Sequence, residues 1–248
     1  MAKKPRTPPP PRKVQAPKQR HDPRGRDPER QKKILYGFAG AGIIGLIVAV
    51  IVIFAGGKSK DAAKSSDKTV AAAMKAAGCT FVTKPVLPPR HKAASGFHSD
   101  VPTLTSKVKW STFPTSGGDH YGQYAIWGFY TDPVNPRQVG HNLEHGGVVL
   151  WWGPETPQAT VSALRKLYDD SPNSMFGTPI AGLGKKIAIS AWTGDPSRYY
   201  KDGYYGIGHL GKCTTWTDKT LSAFTAFRDA YRGHGPEGVP TSANNPGS

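Results

Sequence analysis

The chain has 248 residues, with 33 Lys+Arg against 17 Asp+Glu and two cysteines. The +16 charge is uneven: residues 1–33 carry twelve basic and three acidic side chains, so the excess describes a tail and not a uniformly basic protein. Aromatic residues are absent before Tyr36, which argues against a nucleic-acid surface, and no Cys-x-x-Cys pair is present to suggest a redox or thiolate metal motif.

Residues 1–33 are rich in Pro and basic side chains and too poor in apolar ones to offset the entropy of ordering, so a disordered segment is expected. Pro8–Pro11 favours polyproline II. The segment suits a proline-binding module or contact with anionic lipid head groups, or serves only as a topology signal.

Residues 34–55 (ILYGFAGAGIIGLIVAVIVIFA) contain no charge and no Asn, Gln or Pro. As a helix they would reach about 33 Å, enough for a bilayer core of about 30 Å. The run is too long for a cleaved signal peptide, and Ala55-Gly56-Gly57 is a poor cleavage site, so an uncleaved signal anchor is expected. The basic flank places the N-terminus in the cytoplasm and the rest beyond the plasma membrane. Gly37, Ala41, Gly45 and Ala49 form a small-residue ridge on which two such helices could self-associate.

Residues 56–68 read as a linker, 69–238 as one extracytoplasmic globular domain and 239–248 as a flexible tail. Within the domain, Thr69–Ala77 reads as a helix stopped by Gly78, and Gln123–Tyr130 and Gly147–Trp152 as strands. A helix runs from Pro157 to about Asp170 with Val161, Leu164, Leu167 and Tyr168 on one face. Lys186–Thr193 is a further strand. A last helix, capped by Asp218 and ending at Gly233, has Leu221, Phe224, Phe227 and Tyr231 on one face. These elements predict an α+β fold: a small, mainly antiparallel or mixed sheet with two or three packed helices, and a crossover linking the strand near Val149 to that near Ile189. Val82–Gly122 reads as irregular. Cys79 and Cys213 both follow the apolar run, and an even count in an oxidising compartment favours one disulfide between them.

The chemistry-bearing residues gather between His98 and His145. His141 and His145, four apart, share one face of a helix or a strand and suit Zn or Cu. Glu144 is a third ligand or an orienting group, and His98 and His120 add two imidazoles. His-x-x-Glu-His also matches the inverted zincin motif, in which the glutamate is a general base. That motif needs a continuing helix, which Gly146-Gly147 breaks, and Glu237 lies in a terminal Gly/Pro loop. Against the metal stands a purely structural hydrogen-bond network of the same imidazoles and carboxylate.

Phe113-Pro114-Thr115-Ser116-Gly117, Trp127-Gly128-Phe129-Tyr130 and His141-Asn142-Leu143-Glu144-His145-Gly146-Gly147-Val148-Val149 resemble the bacterial domain-of-unknown-function family 3105. Gly78-Cys79, Phe97-His98, Ala191-Trp192 and Tyr231 to Gly235-Pro236-Glu237 extend the resemblance to roughly Thr69–Glu237. It implies a small bacterial protein with an N-terminal membrane segment and a disulfide, and no mechanism. Three functions follow as expectations: an extracytoplasmic module binding Zn or Cu(II), an envelope scaffold with structural histidines, or a hydrolase with Glu144 as base.

Overall fold

The computed structural model describes residues 59–89 and 101–248, with side chains from Ser66 onward. The basic tail, the apolar run with Gly37, Ala41, Gly45 and Ala49, and His98 lie outside the described residues. Among those described, no helix is long and apolar enough to cross a membrane.

Among the described residues, four α-helices and five strands follow in chain order: α1 (Ser59–Ala76), β1 (Thr80–Pro85), α2 (Pro136–Glu144), β2 (Val148–Trp152), α3 (Gln158–Asp170), β3 (Met175–Pro179), β4 (Ile187–Thr193), β5 (Ile207–Cys213) and α4 (Asp218–Tyr231). The fold is α+β, with one mixed sheet in the order β1-β5-β4-β2-β3. Only β2 and β3 run parallel, joined through α3; the other neighbours are antiparallel. The crossover expected between the strands near Val149 and Ile189 therefore leads instead to β3, and those two strands pair antiparallel, Val149 opposite Ser190.

The interior strand β2, between β4 and β3, is buried along its whole length, which is why its sequence, Val-Val-Leu-Trp-Trp, shows no polar alternation. Val148, Leu150 and Trp152 face one core with α1, α3 and α4, including Met74, Leu164, Leu167, Phe224 and Phe227. Val149 and Trp151 face the other, with Trp127, Leu143, Phe176 and Trp192. Trp151 keeps its indole N–H satisfied on Ser190 Oγ at 2.8 Å. Three helices thus cover one face of the sheet, while α2 and long loops cover the other. The candidate site lies on that loop-covered face.

Several expected boundaries shift. The linker assigned to residues 56–68 is helical from Ser59, because α1 continues through it. Gly78, at φ +71°, ends that helix as expected. Within the stretch read as irregular, residues 82–85 complete edge strand β1. In α4 the N-cap is Thr217, one residue early, accepting from Thr220 N–H, and Leu221 points to solvent while Ala223 takes the buried position.

Gln123–Tyr130 is not a strand. It makes a single bridge, Phe129 to Gly177. Its backbone groups find other partners. The Asn142 side chain accepts from Ala125 N–H at 3.0 Å and donates to Ala125 C=O at 2.8 Å, imitating a ladder neighbour. Trp127 pairs its N–H and C=O with Ser248 and Gly247. Residues 239–248, expected to be a flexible tail, consequently pack against the domain. Asn244 is buried and donates to His145 C=O and Ser174 Oγ.

The disulfide is present: Cys79, at the α1–β1 junction, joins Cys213, the last residue of β5, across a sequence separation of 134.

Candidate metal centre

Asn135 caps α2 by accepting from Arg137 N–H at 3.0 Å, and Pro136 occupies the first turn, where a missing N–H costs nothing. The helix stops at Gly146, whose φ of +83° L side chains rarely adopt. Before it stops, α2 presents His141 and Glu144, with His145 at its C-cap. Asn142 and Leu143 turn inward.

His120 arrives from the loop before α2. That loop can lie directly on the helix because Gly140 has no side chain: a Cβ there would stand 2.8 Å from His120 Cβ. The imidazole is fully buried, and its Nδ1 faces Gly118 C=O at 2.7 Å. A carbonyl only accepts, so Nδ1 carries a hydrogen, which leaves Nε2 facing the interior of the site. His141 is oriented in the same way, with Nδ1 on Tyr121 C=O at 3.1 Å. Both Nε2 atoms aim at one oxygen: Glu144 Oε2 is 3.0 Å from His120 and 4.0 Å from His141.

Glu144 is only 1 % exposed and sits at the C-terminal end of a helix, where the dipole disfavours an anion. Its other oxygen, Oε1, accepts from the phenols of Tyr199 and, at 3.3 Å, Tyr200. Burial, reinforced by the Glu144 charge, raises both phenols far above their ordinary range, so they remain donors. Two phenols fix one carboxylate oxygen and leave the other for the imidazoles. Burial, followed by the neighbouring His120, lowers His141 to about 4, with Glu144 opposing, so its ring is neutral near pH 7.

A second group lies further out. His145 Nε2 is 3.2 Å from Glu237 Oε2, both partly exposed. Among the described residues, two sets therefore have ligand atoms within 4.8 Å of one another: His120, His141 and Glu144, and His141, His145 and Glu237. Two ligand atoms each about 2 Å from a tetrahedral ion stand about 3.3 Å apart, which the inner distances straddle. A His₂Glu set suits Zn or Cu(II) and leaves a coordination position for water or another donor.

The expected residues are thus sorted. His141 joins both sets, His120 and Glu144 form the inner one, and His145 belongs to the outer one. Glu237, set aside in sequence because no helix carries it, reaches His145 from a loop that crosses α2 at a pair of glycines. A Cβ on Gly235 would stand 2.2 Å from Gly146 N. The two motif histidines of the inverted zincin pattern do share a set with Glu237, while Glu144 turns inward to His120 and to the phenols of Tyr199 and Tyr200. Nothing in the local sequence marks Tyr199 and Tyr200. A cleft of about 240 Å³ lined by Pro157, Lys185 and Trp216 holds none of these imidazoles or carboxylates.

One imidazole stands apart. His209 on β5 is buried, contacts Thr193 Oγ1 at 2.8 Å through Nε2, and stacks on Tyr231 at 3.9 Å. Its Nδ1 lies 3.5 Å from Asp67 Oδ1, which also accepts from the Tyr231 phenol at 2.6 Å. Burial lowers His209 to about 4 against the pull of Asp67. With His141 also near 4, the sign of the pH response is fixed. Above about 6.5 both rings are neutral in the folded and unfolded chains alike. Between about 6.5 and 4 the unfolded chain takes up protons that the folded one refuses, so stability falls as pH falls, with a ceiling of about 3 kcal/mol per ring. Urea midpoints of the metal-free protein at pH 7 and pH 4.5 measure this, and equal midpoints would mean that neither ring is held neutral by the fold.

A family model described as a protein of unknown function (DUF3105) matches residues 103–243. That span contains His120, all of α2, Tyr199, Tyr200 and Glu237, but not Cys79, which the sequence resemblance had included. No curated protein and no solved structure matches the chain. With more than half of its 248 residues inside the match, the chain belongs to the DUF3105 family of proteins of unknown function.

Proposed function

We propose that this protein is a single-pass, membrane-anchored domain that binds a divalent transition metal, Zn or Cu(II), on the extracytoplasmic side. The observation that carries the metal is the tautomer arrangement. Two imidazoles, each with Nδ1 committed to a backbone carbonyl, turn Nε2 toward one buried carboxylate oxygen. With both Nε2 atoms unprotonated, their lone pairs and the carboxylate converge in a low-dielectric interior and repel unless a cation sits among them. Outer hydrogen bonds from ligand histidines to carbonyls, and from phenols to a ligand carboxylate, are the usual support of metal sites.

The anchor and its orientation rest on the uncharged run of residues 34–55 and the basic residues before it. The Cys79–Cys213 bond agrees with an oxidising compartment.

A second reading has its own support: at 3.0 Å, one shared proton between His120 and Glu144 would serve as the cation, and the network would be structural. On this reading the domain is a scaffold of the envelope. Metal analysis of the full chain, purified in detergent without a His tag, separates the two. About one Zn or Cu per chain is expected. A folded protein that carries no metal and takes up neither added ion would establish the proton network.

A further inference from the structure

The three imidazoles form a file from the interior outward. His120 and His141 have ring centroids 5.0 Å apart, and His141 and His145 4.7 Å. At the inner end His120 and Glu144 are sealed from solvent, while at the outer end the His145 and Glu237 side chains are 16 % and 21 % exposed. Tyr124, itself on the surface, sets its ring against both His141 and His145, at 5.8 and 5.1 Å.

The two ligand sets overlap in His141 alone. Its Nδ1 is committed to Tyr121 C=O, so one lone pair, on Nε2, serves both sets. One lone pair binds one ion at a time. The sets are therefore alternatives for a single ion and not a two-metal centre.

We infer that the outer set is the loading position for the inner one. A hydrated Zn²⁺ or Cu²⁺ is first held by His145 and Glu237, where water can still leave it. It then moves inward with His141 retained as a ligand throughout, exchanging His145 and Glu237 for His120 and Glu144. Keeping one ligand bound makes the transfer a short step between neighbouring positions instead of the release of a bare ion into a buried site. This inference rests on the metal-binding function proposed above and assigns separate roles to its ligands.

The test compares Zn²⁺ uptake by the full chain in detergent, followed by stopped flow with a chromogenic zinc indicator, with equilibrium stoichiometry measured in parallel. Wild type is expected to bind one Zn²⁺ per chain. His145→Ala/Glu237→Gln should keep that stoichiometry and an equilibrium Kd within about threefold, while uptake and release both slow about tenfold or more, since the route is changed and the end point is not. His120→Ala should weaken binding about 100-fold or more and leave fast, weak capture at the outer set. Circular dichroism confirms that each variant is folded.

Two ions per wild-type chain would overturn the alternative-site assignment. An outer variant that loses as much affinity as His120→Ala would show one five-ligand site, and an outer variant with unchanged uptake would show that ions enter elsewhere. Wild type that binds neither Zn²⁺ nor, in the same assay, Cu²⁺ refutes the metal-binding function itself, a result distinct from these three.

Discussion

Glu144→Gln is expected to lower metal affinity by about 100-fold or more and leave the metal-free domain as stable as wild type, or slightly more stable. The two effects part company because of the tautomers. A glutamine carbonyl at the Oε1 position still accepts from Tyr199 and Tyr200, and the amide N–H at the Oε2 position donates to the Nε2 lone pair of His120, which the carboxylate can meet only with a proton or a metal between them. The neutral amide also removes a buried charge from the C-terminal end of α2. Loss of outer-sphere partners alone costs metal sites about 10–100-fold, so loss of an anionic ligand belongs at or beyond the upper end. Isothermal titration with Zn²⁺ and urea unfolding in chelator give the two numbers. A variant destabilised by several kcal/mol in chelator would instead reveal a protonated His120 paired with an ionised Glu144, the structural network. Glu144→Ala does not discriminate, because it strands two phenols and an imidazole on either account.

Opening the Cys79–Cys213 bond should be the most damaging change to stability. The bond closes a loop with a sequence separation of 134, for which the chain-entropy relation gives about 5 kcal/mol, an upper figure because the denatured chain keeps residual structure. For a domain of this size that corresponds to a fall in Tm of about 10 °C or more. Thermal melts with and without reductant, and of Cys79→Ser/Cys213→Ser, should agree. A fall below about 2 °C would mean that α1 and β1 already hold the sheet edge without the bond.

What could be read from the sequence follows from where each contact comes from. β2 and β4 are runs of branched and aromatic residues, and α3 repeats its apolar positions Val161, Leu164, Leu167 and Tyr168 at helical spacing, so local pattern and tertiary burial agree. β5, Ile-Gly-His-Leu-Gly-Lys-Cys, was unreadable because its glycines are there for a neighbour: a Cβ on Gly211 would stand 2.6 Å from the Met74 methyl. Likewise Gly177 in β3 makes room for the ring of Phe129. Gln123–Tyr130 looked like a strand by composition, and only a side chain from α2 and the C-terminal residues decide otherwise. The site divides along the same line. His141, Glu144 and His145 were legible because one short helix spaces them. Tyr199, Tyr200 and Glu237 sit in loops that tertiary packing brings in, and the one available hint, Gly235-Pro236-Glu237 in the family resemblance, did not say what it touches.

The ends of the site's loops fix the order in which it can be built. Glu237, which completes the outer set, and Asn244, which ties down the carbonyl of His145, both come after α4. A chain delivered N-terminus first presents His120, His141 and Glu144 early but lacks its outer carboxylate until the last helix has docked. Filling the site as proposed is therefore a step that follows synthesis, and with the proposed topology the ion would be drawn from the extracytoplasmic compartment.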